Sequence, residues 1–299
     1  MTSNVGTHPA PASPRVGIAW MLLASLLFVS LDTVAKYLTA TYPVEQIVWA
    51  RFSFHLLVAL IIMSPQGFGR LKSNQPWLQL LRSAFMLGAN AFFFLALQSI
   101  PLVTASAVVF VGPLLVTALS VPLLGERVGP RRWAAVAVGF AGAMLIIRPG
   151  TDFMHAATVL PLLAALSFSF YQICTRVLAR HDDPMTTLTY TAVAGSLAAT
   201  AIVPTSWITP DTVGWMAMIA AGIFGALGQW ALIKAISAAP VSTIAPFGYT
   251  GLVWATLFGF VTFGDIPDLY TLCGAVIIAA SGLYVLHRER ALSRSAPTD

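Results

Sequence analysis

Residues 96–146 read ALQSIPLVTASAVVFVGPLLVTALSVPLLGERVGPRRWAAVAVGFAGAMLI. Two unbroken apolar runs flank the basic turn GERVGPRRW at 125–133. Each run is about 20 residues long, the length a helix needs to cross roughly 30 Å of hydrocarbon. A barrel strand would instead alternate polar and apolar residues with a period of two. Without water every N–H and C=O needs a partner inside the segment, so these continuous runs are transmembrane helices.

The same pattern fills the rest of the chain. Of 299 residues, 58% are hydrophobic and 9% charged, against roughly 25% charged in a soluble domain. Ten helices are predicted, at roughly 16–38, 44–63, 76–98, 101–122, 131–148, 155–179, 184–203, 212–237, 240–263 and 267–286. Pro43, Pro76, Pro101, Pro130, Pro184, Pro240 and Pro267 punctuate them at turns or first helical positions, where a missing N–H costs little. The polar, Pro-rich residues 1–14 have no signal-peptide core and read as a disordered tail. Cys174 and Cys273 fall inside apolar runs and read as small core residues.

Basic residues collect on one side: Arg15, Arg70, Lys72, Arg127, Arg131, Arg132, Arg176, Arg180, Arg288, Arg290 and Arg294. The opposite loops carry Glu45, Asp152, Asp211, Asp265 and Asp268, with Arg148 and with Lys36 near a helix end. The excess of arginine and lysine predicts an inner (plasma) membrane protein with both termini in the cytoplasm. The net charge of +5 is therefore an orientation signal, and no nucleic-acid partner is expected.

A repeat organises the chain. A shift of 139 residues carries Pro101 onto Pro240, Thr104 onto Thr243, Gly112 onto Gly251, Thr117 onto Thr256 and Gly125-Glu126 onto Gly264-Asp265. With one residue of slippage, Leu22-Leu23-Ala24 meets Leu162-Leu163-Ala164, Phe28 meets Phe168 and Lys36 meets Arg176. Five helices per half is an odd number, so the second half enters from the opposite side. The basic GERVGPRRW and its acidic counterpart GDIPDLYTL at 264–272 agree with that inversion. The expected fold is an all-α integral membrane protein, ten transmembrane helices in two inverted five-helix repeats. The expected divisions are a tail at 1–14, repeats at 15–150 and 151–288, and a cytoplasmic tail at 289–299. Inverted repeats are a recurring plan of secondary transporters, which hold their solute near the midplane and rock around it.

Arg51-Phe52 in the second helix, the run at 96–146, and its second copy AISAAPVSTIAPFGYTGLVWATLFGFVTFGD at 235–265 resemble the drug/metabolite transporter superfamily. The likeness is to its EamA-type members and extends from about Gly17 to Leu286. Asp265 stands where the family's acidic turn residue is more often Glu. The resemblance implies a central cavity lined mainly by the first, third, fourth, sixth, eighth and ninth helices. It also implies transport of a small molecule; amino acids or their analogues are the leading expectation, with export as the direction. A flippase for a lipid-linked carrier or sugar conjugate, a drug exporter, and more distantly a non-transporting sensor remain open.

Intramembrane polar residues are costly and each calls for an account. Asp32 and Lys36 share a face of the first helix. Asp32 lies roughly 9 Å from its end, level with Arg51, at a rise of about 1.5 Å per residue. Pairing of Asp32 with Arg51 and of Lys36 with Glu45 would clasp the first hairpin; a proton or substrate-charge site at Asp32 is the alternative. His55 reads as a packing or proton-relay histidine on a peripheral helix, and Arg82 and Lys234 as cations snorkelling to headgroups. The repeat register pairs Asn90 with Gln229 and Phe110 with Tyr249, a polar and an aromatic pair suited to an amphipathic or zwitterionic solute. Trp230, Phe168, Tyr171 and Gln172 are further substrate-binding candidates. Gly112-Pro113 and the Pro246–Gly248 segment interrupt apolar helices and are candidate hinges or static kinks. Gly139, Gly142, Gly274 and Gly282 are expected to let helices approach closely. No phosphate loop, metal-ligand spacing or catalytic set is present, so no cofactor, metal or enzymatic activity is expected. The bilayer is the one certain partner, with a monomer or weak homodimer as the assembly.

Overall fold

A computed structural model of the chain describes residues 14–63, 73–126, 128–149, 156–179 and 181–295. Twelve α-helical segments make ten candidate spans: α1 (Pro14–Leu38), α2 (Val44–Met63), α3 (Pro76–Leu97), α4 (Leu102–Val109), α5 (Gly112–Leu124), α6 (Pro130–Ile147), α7 (Ala156–Leu178), α8 (Pro184–Ile202), α9 (Thr212–Ala238), α10 (Val241–Gly248), α11 (Thr250–Phe263) and α12 (Leu269–Ser295). Among the described residues there is no strand. α3, α6 and α8 begin on the prolines that the sequence offered as first helical residues.

Two differences from the sequence reading stand out. The interruptions expected at Gly112-Pro113 and Pro246–Gly248 fall just beside them, at Phe110–Val111 and Tyr249, which split the fourth and ninth spans into α4–α5 and α10–α11. The last helix runs on to Ser295, beyond the expected end at 286 and into the expected tail. All of the N-terminal tail except Pro14 lies outside the described residues, as do Arg70, Lys72, Arg127, Arg180 and Asp152 of the charge pattern.

Helix packing follows the repeat. α1 packs most extensively on α9, and the repeat-related pair α7 and α3 comes next. α6 packs on α12, and α2 on α8, so each of these pairs joins a helix to its own repeat mate. The halves are therefore interleaved rather than side by side. Between α6 and α12 the approach is backbone to backbone: a methyl on Gly274 would sit 2.6 Å from the Gly142 carbonyl, and one on Gly142 3.0 Å from that of Gly274. In hydrocarbon, where apolar burial gives helices no reason to associate, such close van der Waals contact is what binds them.

Candidate functional site

A narrow cleft of about 10 Å³, room for roughly one water, lies between the halves. α2 lines it with Arg51, Phe52 and His55, α3 with Met86, α7 with Tyr171, α8 with Leu188 and Thr191, and α9 with Gln229. The wall thus includes the second and seventh spans, which the family plan left out. His55 is not a peripheral packing residue but faces this space.

Two kinds of arginine meet here. Arg82 of α3 is 3% exposed and is held on every side. Its Nε donates to Thr175 Oγ1 (2.6 Å), its Nη1 to the Thr187 carbonyl (2.9 Å) and to Thr191 Oγ1, and its Nη2 to the Tyr171 hydroxyl (2.6 Å). Its guanidinium also lies 4.2 Å from the Tyr171 ring centroid. The expectation that Arg82 snorkels to the headgroups is overturned: it ties α3 to α7 and α8. Arg51, 4% exposed, is the opposite case, since its Nε and Nη1 are buried and bonded to no group among the described residues. Both ring nitrogens of His55 are likewise buried and unpartnered. Asp32 is half-buried on α1 and makes no hydrogen bond or ion pair among the described residues, so in place of the expected Asp32–Arg51 clasp the two charges act on each other only at a distance.

The aromatic pair read from the repeat register comes together. Phe110 closes α4, Tyr249 joins α10 to α11, and their rings stack with centroids 5.3 Å apart. The Tyr249 hydroxyl occupies the slot left by Gly282, where a methyl would come within 1.7 Å of it. Both helix breaks therefore meet at one stacked contact on the pseudo-twofold. Ser169 Oγ of α7 donates to the Gly112 carbonyl (3.1 Å), which ties the start of α5 to the second half. Pro113 and Pro246 sit in the first turn of α5 and inside α10, with Gly248 ending α10.

Both ends of the bundle carry an ion pair between the halves. Lys36 Nζ at the end of α1 bonds Asp265 Oδ2 (2.6 Å) and the Ile100 carbonyl (3.3 Å). Its expected partner Glu45 is instead exposed at the start of α2. The repeat mate Arg176, at the end of α7, bonds Glu126 Oε1 (2.6 Å). Each acid follows a left-handed glycine cap, Gly125 at φ 69° and Gly264 at φ 71°, a conformation glycine adopts without strain. The remaining candidates scatter. Asn90 donates to the Met86 carbonyl of its own helix (2.7 Å), and Phe168 stacks on Tyr171 (5.5 Å). Trp230 packs edge-on against Trp20 (5.2 Å), with Lys234 Nζ 5.5 Å from its ring, away from the cleft-lining set. Gln172 is half-buried on α7 and is not among the residues lining the cleft. The sequence reading named Arg82 and His55 but missed Thr187 and Thr191, and the run of threonines on α8 was the signal that polar partners for a cation lay there.

Interleaved inverted repeats around a polar cleft, with inter-half ion pairs at both ends, define a membrane carrier. The chain belongs to the EamA-like transporter family, which it matches over residues 15–148 and 156–286. It is a multi-pass membrane transporter of the drug/metabolite type. Its relatives include a riboflavin transporter of Rhizobium johnstonii, 31% identical over 93% of each chain. An S-adenosylmethionine uptake transporter of Rickettsia felis is 28% identical over 93% of this chain and 95% of its own. A pseudopaline exporter of Pseudomonas aeruginosa is 28% identical over 89% and 94%. A solved crystal structure with 19% identity and a TM-score of 0.65, covering 94% of this chain and 99% of its own, shares the fold.

Proposed function

We propose that this protein is an inner-membrane secondary carrier for small amphipathic metabolites, working by alternating access with both termini in the cytoplasm. The observation that carries the reading is the unpartnered Arg51 and His55 facing a cleft between the halves. A buried cation with no acceptor is unfavourable in an apolar interior unless water or a ligand satisfies it. At about 10 Å³ the space holds no more than a single water, far below the roughly 300–1,000 Å³ typical of ligand sites, so loading requires the halves to move apart. The paired breaks at Phe110–Gly112 and Pro246–Tyr249 are the hinges that would permit it, with 15–150 and 151–288 as the moving halves.

Amino acids and their analogues remain the first substrate class to test, since an amphipathic zwitterion suits the charges and aromatics. Riboflavin and S-adenosylmethionine enter the panel because relatives are named for them. The S-adenosylmethionine relative is named for uptake and the pseudopaline relative for export, each 28% identical, so net direction follows the solute gradient in this proposal. The test is flux into proteoliposomes across amino acids, riboflavin, S-adenosylmethionine and cationic drugs. Saturable flux of at least one, abolished by cross-linking a cysteine pair placed at 36 and 265, is expected. Leak-level flux for every solute would overturn the reading.

A further inference from the structure

The geometry points to a carboxylate-binding site in the cleft, built from Arg51, His55 and Gln229, with Asp32 as the internal carboxylate that competes for it. This rests on the carrier reading and deepens it. Three donor-bearing side chains from two helices face the space: the Arg51 guanidinium and the His55 ring from α2, and the Gln229 amide from α9. Arg51 Nε and Nη1 and both His55 nitrogens have no partner among the described residues. Arg82 lies behind the wall residues Tyr171 and Thr191, and its donors are already engaged by Tyr171, Thr175, Thr187 and Thr191. It sets potential, and Arg51 supplies the open bonds.

The planar fork of a guanidinium matches a carboxylate in two parallel hydrogen bonds, which a neutral amide or an ammonium cannot reproduce. Asp32, half-buried on α1, makes no ion pair among the described residues. α1 and α2 both pack on α9, and Gly225 of α9 lies where they converge: a methyl there would be 3.6 Å from Leu31, 3.8 Å from Arg51 Nε and 3.8 Å from His55 Nδ1. Asp32 follows Leu31 on α1 and lies close enough to Arg51 for the two charges to act on each other. In the empty carrier the aspartate partly offsets the arginine's charge. When an external carboxylate arrives it takes over that role at bonding distance, and the arginine changes partner without being left uncompensated. Binding of the solute is thereby favoured in whichever state gives it access to Arg51, which is the differential affinity that alternating access needs.

The test is binding to the purified full-length protein in detergent, read as thermal stabilisation and by equilibrium dialysis. The probes are phenylalanine, its amide, and 3-phenylpropionate. Phenylalanine and 3-phenylpropionate are expected to bind at least tenfold more tightly than the amide. Arg51→Gln should abolish that preference, and Asp32→Asn should tighten carboxylate binding severalfold by removing the competitor. Because Arg51→Gln could impair folding, Gly225→Ala is the second variant. Its methyl meets only ordinary van der Waals contacts and leaves the fold intact, yet it covers Arg51 Nε and His55 Nδ1 and should weaken carboxylate binding severalfold. Equal binding of acid and amide, failure of every carboxylate to bind, or carboxylate binding weakened by Asp32→Asn would overturn the site. Saturable flux of any solute in the same preparation would leave the carrier reading standing when the site fails.

Discussion

The ion pairs Lys36–Asp265 and Arg176–Glu126 occupy equivalent places in the two repeats, yet they are built to different strengths. The first has side chains 14% and 20% exposed, and the second 55% and 36%. Lys36 also bonds the Ile100 carbonyl and lies 4.9 Å from the Phe263 ring, while Asp265 accepts in addition from the Leu102 N–H (3.4 Å). No such additional bond to Arg176 or Glu126 is found among the described residues. The lesson is that a repeat fixes where a latch can form but not how firmly it holds. Water content decides that, because a pair in a drier setting is weakened less by solvent and salt. The pair at the Lys36 end is accordingly the better shielded of the two.

A second asymmetry accompanies the first. The α3–α7 contact is knit by Arg82, whereas the repeat-related α1–α9 contact relies on small residues, such as Gly17 set against Ala239 and Gly228 against Phe28. The largest expected effect comes from the polar contact. Tyr171→Phe keeps the ring and deprives Arg82 Nη2 of its acceptor. Hydrogen bonds to charged groups contribute about 1.5–3 kcal/mol, so a loss of about 2–3 kcal/mol is expected. A fall in the detergent unfolding temperature of several degrees would register it, and no change would show that Arg82 simply finds another acceptor.

Breaking the tight latch comes next. Asp265→Asn keeps the shape and removes the charge, at an expected cost of about 1–2 kcal/mol because the pair is only partly shielded. The same change should open the Lys36 end. A cysteine at Val103, in a background lacking Cys174 and Cys273, should react with maleimide severalfold faster in the variant. Unchanged labelling would mean that this ion pair does not hold the end shut.

Much of this was legible in the chain. The ten spans, both helix breaks, the stacked Phe110–Tyr249 pair and the equivalence of Lys36 with Arg176 follow from apolar run length and one repeat offset. What could not be read was which partners meet. Lys36 was expected on Glu45 because those residues are close in sequence, across one hairpin. The halves interleave, so α1 lies against α9, α10 and α11, and the acid it meets is Asp265, more than two hundred positions away. Depth failed for Arg82 in a similar way. A cation one or two turns from a helix end can reach the headgroups or turn inward, and only the threonines of α8 decide between them. Arg51 was visible as a family signature, but its lack of a partner is a property of the assembled cleft.

Below Arg82 and Lys36 in expected effect stands the junction of the loops that precede α3 and α8, where Asp182 accepts from Ser73 Oγ, the Asn74 N–H (2.8 Å) and Gln79 Nε2 (2.7 Å). Burial acts to raise this carboxyl's pKa, but those hydrogen bonds and the neighbouring His181 prevail and hold it below the usual range. A depressed carboxylate contributes its full stabilisation above its unfolded value of about 3.9 and loses it as pH falls through the lower folded value. The junction should therefore hold unchanged from pH 5 to 8 and loosen only below about pH 4. Asp182→Asn, at a cost of about 1 kcal/mol, should loosen it at neutral pH and remove the acid transition. Amide exchange over 73–79 reads both.

The smallest effect belongs to the loose latch. With both side chains well exposed, Arg176→Gln should cost no more than about 0.5 kcal/mol, and 0.5 M salt should erase even that. Its value lies in the ratio to Asp265→Asn. If closure at the two ends is as unequal as the exposures imply, removing Arg176 should leave Val103 labelling where it was and alter transport little. Swapping the charges of the tight pair, Lys36→Asp with Asp265→Lys, should restore part of what Asp265→Asn loses. A cost for Arg176→Gln equal to that for Asp265→Asn would show that the repeat imposes equal strength as well as equal position, and would remove the physical basis for a preferred closed end.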